Sequence, residues 1–426
     1  HVDRELDLLC LLKHMLKEQH GLEVVIANFY VDAPLLLHGP PPKLVVLPFC
    51  YGGDDLTMRD YVAAWPETRF INMAWEQILY PSNQRLKAPR DVFARTRVTH
   101  LAWSQAFVGF MVQEGVVPEH IQLIGHWLYD MYAPQYRSYF TDKASLAEAF
   151  GLDVRKRWVF VPENYRWAFF SENKLRKMAA KGVGSDDLLE MRRYCRENLA
   201  VLARWCDALA ANSNVEVIFR PRPATSIKQL KQFLATEAVL DKPRFHIIKD
   251  FSAREWVLAS DVVASSFSTV LIEAVLAGKE IVMVEPSRIP ASLRYSWCDL
   301  APIVQIEEDF NQRCSHPDER NQGEALGYWA RSHFFANPRP IHALVECLSR
   351  HAHQTRHLAP VKGESNMHLP GSLAMLARTL PPRLRHRCFR WLVKGYSYNA
   401  DTHEKDFFSA GDVLKRTRRW RRCMGR

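Results

Sequence analysis

Short continuous runs of Val, Ile, Leu and Phe recur along the chain, separated by longer stretches whose apolar residues fall at helical spacing. Runs that are apolar throughout predict strands buried on both faces, and their alternation with helices predicts parallel sheets built from βαβ units. The strands expected in the first half are 22–28 (LEVVIAN), 44–49, 69–73, 99–103 and 121–125. Those of the second half are 158–162, 215–220, 245–249, 261–264, 280–284 and 303–306. The longest helical pattern covers 185–211.

Between the two alternating halves lies 129–155, polar, aromatic and turn-rich, which reads as an interdomain connection. The division that follows is an α/β protein of two Rossmann-like domains, 1–135 and 156–310, then a helical return segment, 311–375, and a basic amphipathic tail, 376–426. The chain opens on a polar HVDRE and passes straight into a helix with Leu6, Leu9, Cys10, Met15 and Leu16 on one face. A doubly wound domain starts with a strand, so a first strand is expected upstream, with His1 to Glu5 as its β-to-α loop. The two domains are expected to face one another across a cleft, with ligands outside the carboxyl ends of the strands.

Charge adds the next constraint. The 426 residues carry a net +10, but 376–426 holds 14 Lys and Arg against 4 Asp and Glu, leaving 43 of each sign in the rest. A neutral body argues against a nucleic-acid surface, which needs a basic stripe to neutralise phosphates. The tail instead interleaves cations with Phe389, Trp391, Leu392 and Trp420, a pattern suited to an anionic membrane surface. At 47% hydrophobic the chain folds. Its nine cysteines form no CxxC pairs and read as the reduced thiols of a cytoplasmic protein without a zinc site. No stretch reaches the ~20 apolar residues of a spanning helix, and no signal peptide is recognised.

Candidate chemistry lies where the strands end. After 261–264 come Ser266, Ser268 and Thr269 at a helix start, where backbone N–H groups and hydroxyls suit a phosphate, with Glu273 a turn deeper for a ribose. N-capping alone also accounts for such serines. The strand 215–220 runs into Arg220-Pro221-Arg222-Pro223, two bidentate phosphate binders on a stiffened backbone, or else a rigid surface turn. Glu163 and Asn164 follow 158–162, where the carboxylate can serve as nucleophile, base or structural acid. In the first half, Asp54, Glu76 and His126 lie in strand-end loops beside Trp75, Trp103 and Ser104. Aromatic rings beside carboxylates suit sugars, although rings of this kind also fill cores.

These residues resemble the GT-B glycosyltransferase superfamily, in particular the bacterial surface carbohydrate proteins of capsule and O-antigen (lipopolysaccharide) assembly. The motifs are Asp3-Arg4-Glu5-Leu6-Asp7, Gly125-His126 with Asp130, Arg220-Pro221-Arg222-Pro223, and Ser268-Thr269 through Glu273 to Gly278. The resemblance spans roughly 1–310 and implies an N-terminal acceptor domain and a C-terminal donor domain. Its cytidine-nucleotide branch, which includes Kdo transferases, has His-Pro where this chain has Arg222-Pro223. An acid after the second domain's first strand is the nucleophile of the retaining members, which points to Glu163 in place of the usual aspartate.

What the resemblance implies is a metal-independent glycosyltransferase, peripheral to the bacterial inner membrane, taking a CMP-linked sugar to a surface polysaccharide or its lipid-linked acceptor. Its catalytic residues would be Glu163, Glu76, Asp54 and His126. Arg220, Arg222, Ser266, Ser268, Thr269, Glu273 and Asn164 would bind the donor, and Arg4, Glu5, Trp75, Trp103 and Ser104 the acceptor. The nucleotide sugar is a co-substrate and no cofactor is expected. A sugar-nucleotide epimerase of the non-hydrolysing type, or a non-catalytic scaffold of a polysaccharide assembly complex, are the alternatives.

Overall fold

A computed structural model of the chain describes residues 5–29, 31–53, 56–79, 84–179, 185–223, 225–237, 243–317, 323–354, 371–393, 396 and 407–425. It divides into two units: His1–Ile78, Gln84–Asp130 and His333–Arg426 form the first, and Leu79–Asn83 with Met131–Ser332 the second.

The first unit is built on four parallel strands in chain order, β1 (Leu44–Leu47), β2 (Arg69–Asn72), β3 (Val98–Ala102) and β4 (Ile121–Leu123). Register runs Leu44 to Arg69, Phe70 to Val98 and His100 to Ile121. Every position of β3 is buried, as a strand with covered faces requires. The run 22–28 forms no strand. Val25 is 82% exposed, and the Val24 carbonyl is taken by the Lys13 ammonium rather than by a neighbouring strand. A strand exists only where an edge accepts its hydrogen bonds, and none does so among the described residues.

The region after His333 completes this unit. Helix Pro340–His353 packs on helices Asp7–His20 and Trp127–Asp130. Ala374, Ala377 and Phe389, from helices Gly371–Thr379 and Pro382–Leu392, and Val393 just after them join Trp65, Phe70 and Val98 in one core. The last helix, Ala410–Met424, begins in a Ser409/Asp412 capping box and lies along Asp7–His20. Its buried Trp420 donates Nε1–H to the Asp7 carbonyl at 2.7 Å, and Arg416 donates to the Asp7 carboxylate at 3.1 Å. The basic tail is therefore not one surface element: its terminal helix spends its aromatic residue inside the domain.

The second unit holds six parallel strands, β5 (Arg157–Pro162), β6 (Val215–Arg220), β7 (Phe245–Ile247), β8 (Val262–Ser265), β9 (Glu280–Val284) and β10 (Ile303–Val304), ordered β10-β9-β8-β5-β6-β7. Counted from its own first strand this is 3-2-1-4-5-6, the doubly wound order, whose direction reverses between β5 and β8. The Ser265 hydroxyl ties the two strands by donating to the Pro162 carbonyl at 2.7 Å. Of the stretch 129–155, expected as a connection, the part from Met131 onward belongs to this unit. Helix Lys143–Phe150 is N-capped by Asp142 and ends at Gly151 with φ 68°, while Tyr132, Tyr136, Tyr139 and Phe140 are buried. Among the described residues no helix is long and apolar enough to cross a membrane.

Candidate functional site

Because β8, β5 and β6 are adjacent and parallel, their carboxyl ends bring Ser266 to Thr269, Glu163 and Arg220 to Arg222 to one edge of the second unit, on either side of the switch point. Arg220 is buried, and its Nη2 donates to the Phe251 carbonyl at 2.8 Å. Phe251 holds φ 61°, an uncommon conformation for a residue with a large side chain, and it is this backbone that presents the carbonyl to Arg220. Arg222 and Asn164 are half-buried at the rim.

Glu163 is 2% exposed and accepts three hydrogen bonds. They come from the Tyr165 amide, the Arg222 amide at 3.3 Å and the Thr225 hydroxyl at 3.0 Å. Burial pushes its carboxyl above the ordinary carboxylate range, opposed by the Arg222 charge and these donors. The carboxylate thus fixes the Arg-Pro-Arg-Pro turn from beneath. A nucleophile needs an accessible oxygen, and here both oxygens already hold the loop.

The hydroxyls differ in what they can reach. Ser266 is fully buried against the Tyr165 hydroxyl and forms floor rather than contact surface. Ser268 accepts from the Val270 amide at 3.4 Å at the start of helix Val270–Leu276, and Thr269, half-buried, precedes that helix. Glu273, placed on a ribose by the sequence, accepts instead from the Tyr132 hydroxyl. Sequence reading missed Thr225, and also Asn198, which pairs with Ser287 at 2.7 Å beyond β9. It missed Glu285 as well, which receives Arg294 at 2.7 Å. Only their place after a strand or on the long helix Ser185–Asn212 marks them.

In the first unit the expected sugar platforms are core. Trp75 and Trp103 are each 2% exposed. Trp103 stacks on His126 at 3.7 Å, His126 on Tyr129 at 3.5 Å, and Trp127 meets the Trp103 and Trp75 rings edge-on at 6.0 and 6.5 Å. His126 is no exposed base. Its amide donates to the Phe334 carbonyl at 2.7 Å, and a Cβ on Gly125, at φ 90°, would stand 2.9 Å from that same oxygen. Asp130 accepts the Ile341 amide at 3.0 Å, at the start of helix Pro340–His353. The Gly125-His126-Asp130 motif therefore clamps the returning chain.

Ser104 caps helix Gln105–Gln113 and is buried. Glu76 is exposed, four residues beyond β2 and two after Ala74, whose φ is 45°. Gln77 was missed: it donates to the Leu101 carbonyl and accepts the Trp103 amide, both at 2.7 Å. Glu5 is half-buried ahead of helix Asp7–His20. Arg4 and Asp54 lie outside the described residues.

Within β3 of the first unit, His100 bonds the Ala94 carbonyl through Nε2 at 2.7 Å and the Asn72 amide through Nδ1 at 3.0 Å. Burial pushes its pKa down to about 4 from the ordinary 6.5. The unfolded chain takes the proton first, so this contribution to stability is full above pH 6.5 and lost by pH 4. About 3 kcal/mol is expected to disappear across that window. Urea unfolding of wild type and His100→Gln at several pH values checks this: the variant loses that part of the acid sensitivity, whereas equal slopes would refute it.

No protein-family model and no curated protein matches the sequence. Solved structures do. A putative UDP-N-acetylglucosamine 2-epimerase from Listeria monocytogenes is 12% identical, with 84% of this chain and 96% of that chain covered and a TM-score of 0.50. Anabaena HepE in complex with UDP and glucose is 14% identical, covering 80% of this chain and 95% of that one, at TM-score 0.43. The wall teichoic acid polymerase TagF is 11% identical, covering 68% and 70%, at 0.44. At such identities the likeness is one of fold. With the sheet orders above, it establishes that this chain has the α/β GT-B fold, two Rossmann-like domains with a helical C-terminal region.

Proposed function

We propose that the chain is a glycosyltransferase carrying a sugar from a nucleotide-sugar donor to a bacterial surface polysaccharide or its lipid-linked acceptor, in the cytoplasm at the inner membrane. The observation that supports this reading is the polar crescent at the carboxyl ends of β8, β5 and β6, astride the switch point where open α/β sheets take ligands. The departing nucleotide gains negative charge in the transition state, so contacts made there raise the rate. Arg222 is assigned to that phosphate, with Ser268, Thr269 and Asn164 completing the donor contacts and Arg220 stiffening the turn. These cations stand in for a divalent metal in this reading. Glu163 acts as a positioning residue. Glu76, exposed beyond β2, is assigned to the acceptor hydroxyl as general base. The likeness of the Ser268-Thr269 helix start to that of the cytidine-nucleotide branch favours a CMP-linked, Kdo-like sugar as donor, while Arg222-Pro223 departs from the His-Pro element of that branch.

Calorimetric titration with CMP, CDP and UDP tests the site. One of them is expected to bind, and Arg222→Ala to weaken it at least about tenfold through loss of a charge-assisted contact. No binding up to millimolar nucleotide would overturn the assignment. Isomerised donor formed without any acceptor would replace transfer by epimerisation on the same site.

A further inference from the structure

The two basic helical segments that look alike in sequence have opposite fates in the fold. Helix Ala410–Met424 buries its tryptophan against Asp7–His20 and pairs Arg416 with Asp7, while Lys415, Arg418, Arg421 and Arg422 are exposed. Helix Pro382–Leu392 buries His386 and Phe389 and turns Trp391 outward, 89% exposed. Leu384 and Leu392 are exposed beside it, and the preceding helix, Gly371–Thr379, exposes Met375 (73%) and Leu376. Both helices seat their inner residues, Ala374, Ala377 and Phe389, in the same core, so their outer faces are the ones that face away from it.

Arg378, Arg383, Arg387 and Arg390 are exposed on these two helices. The sequence from Gly371 to Ala400 contains no Asp or Glu. An exposed tryptophan with leucines and a methionine is costly in water, and arginines without any acid among them repel a second copy of the same face. Both features are satisfied at once by a surface that is anionic outside and apolar a few ångströms deeper, where the indole sits at headgroup level and guanidiniums meet phosphates.

We propose that the outer face of helices Gly371–Thr379 and Pro382–Leu392 docks on an anionic phospholipid bilayer, with Trp391, Leu384 and Met375 entering the interface and Arg383, Arg387 and Arg390 engaging lipid phosphates. The terminal helix, though richer in arginine, takes no part in the insertion. The proposal stands independently of the donor-site reading.

Flotation of the full chain with vesicles of phosphatidylcholine, alone or with about a third phosphatidylglycerol, provides the test. Wild type is expected to float with the anionic vesicles only, and less as salt rises. Arg387→Glu/Arg390→Glu and, separately, Trp391→Ala are expected to lower partitioning at least about tenfold. Arg418→Glu/Arg421→Glu, an equal change of charge on the terminal helix, is expected to stay within about threefold of wild type, since none of the inserting residues lies on that helix. All substituted side chains are exposed, so thermal unfolding is expected to be unchanged and shows that each variant is folded. The proposal is overturned if wild type ignores anionic vesicles, or if the terminal-helix variant loses as much as the Arg387/Arg390 pair. It is equally overturned if Trp391 mediates self-association or RNA binding while vesicles go unbound.

Discussion

Truncating Trp103 to alanine is expected to destabilise the first unit by about 4 kcal/mol, in the range of buried tryptophan truncations. Trp103 lies at the centre of a closed aromatic group, stacked on His126 and edge-on to Trp127 and to Phe334 at 6.5 Å. Its removal leaves a cavity next to the point where the His126 amide holds the Phe334 carbonyl, so the returning chain loosens with it. Trp103→Phe keeps part of the stacking and is expected to cost less than half as much. Chemical unfolding followed by near-UV circular dichroism measures both. A loss below about 1 kcal/mol, together with a raised KM for a glycan acceptor, would restore Trp103 to the role of a sugar platform.

Replacing Glu163 with alanine is expected to cost about 4 kcal/mol as well, by a different route. Three donors, the buried Tyr165 amide and Thr225 hydroxyl and the half-buried Arg222 amide, lose their acceptor, and each buried one costs roughly 1–3 kcal/mol. The turn carrying Arg222 then loses its anchor, and nucleotide affinity is expected to fall at least about tenfold. Glu163→Gln separates positioning from chemistry. It retains an acceptor oxygen, so a positioning role predicts weaker nucleotide binding with turnover at saturation largely kept. A nucleophile would instead lose turnover with binding intact. The pH response gives a second readout. The folded carboxyl is raised, so the stability tied to its protonated form is present below the ordinary value of 4.5 and lost as pH rises through the folded value. Glutamine removes that decline.

The motifs behind the family resemblance divide by domain. In the first unit Gly125, His126 and Asp130 are devices for holding the C-terminal segment: glycine for a positive φ beneath a carbonyl, a histidine amide and ring, and a carboxylate that receives the first turn of a helix. In the second unit the Arg-Pro-Arg-Pro turn and the Ser268-Thr269 helix start remain at the carboxyl edge of the sheet, where a ligand can meet them. The resemblance thus draws together residues that hold the chain and residues that stay at a sheet edge, and the two kinds look the same when read along the chain.

Both parallel sheets were legible in the residues alone, because strands covered on two faces are continuous apolar runs and turn-forming residues mark their ends. Val215–Arg220 and Glu280–Val284 were read to the residue. The run 22–28 carries the same local signal and forms no strand, since pairing belongs to an edge and not to a segment. Burial was equally out of reach. Trp103 and Trp391 both stand beside polar neighbours in sequence, yet one closes a core and the other faces out, and only the packing of distant segments decides which. Glu163 was visible as an acid at a strand end, but its work as an acceptor for Arg222 and Thr225 depends on two strands lying side by side, and hydrogen-bond partners about 60 positions away leave no trace in local pattern.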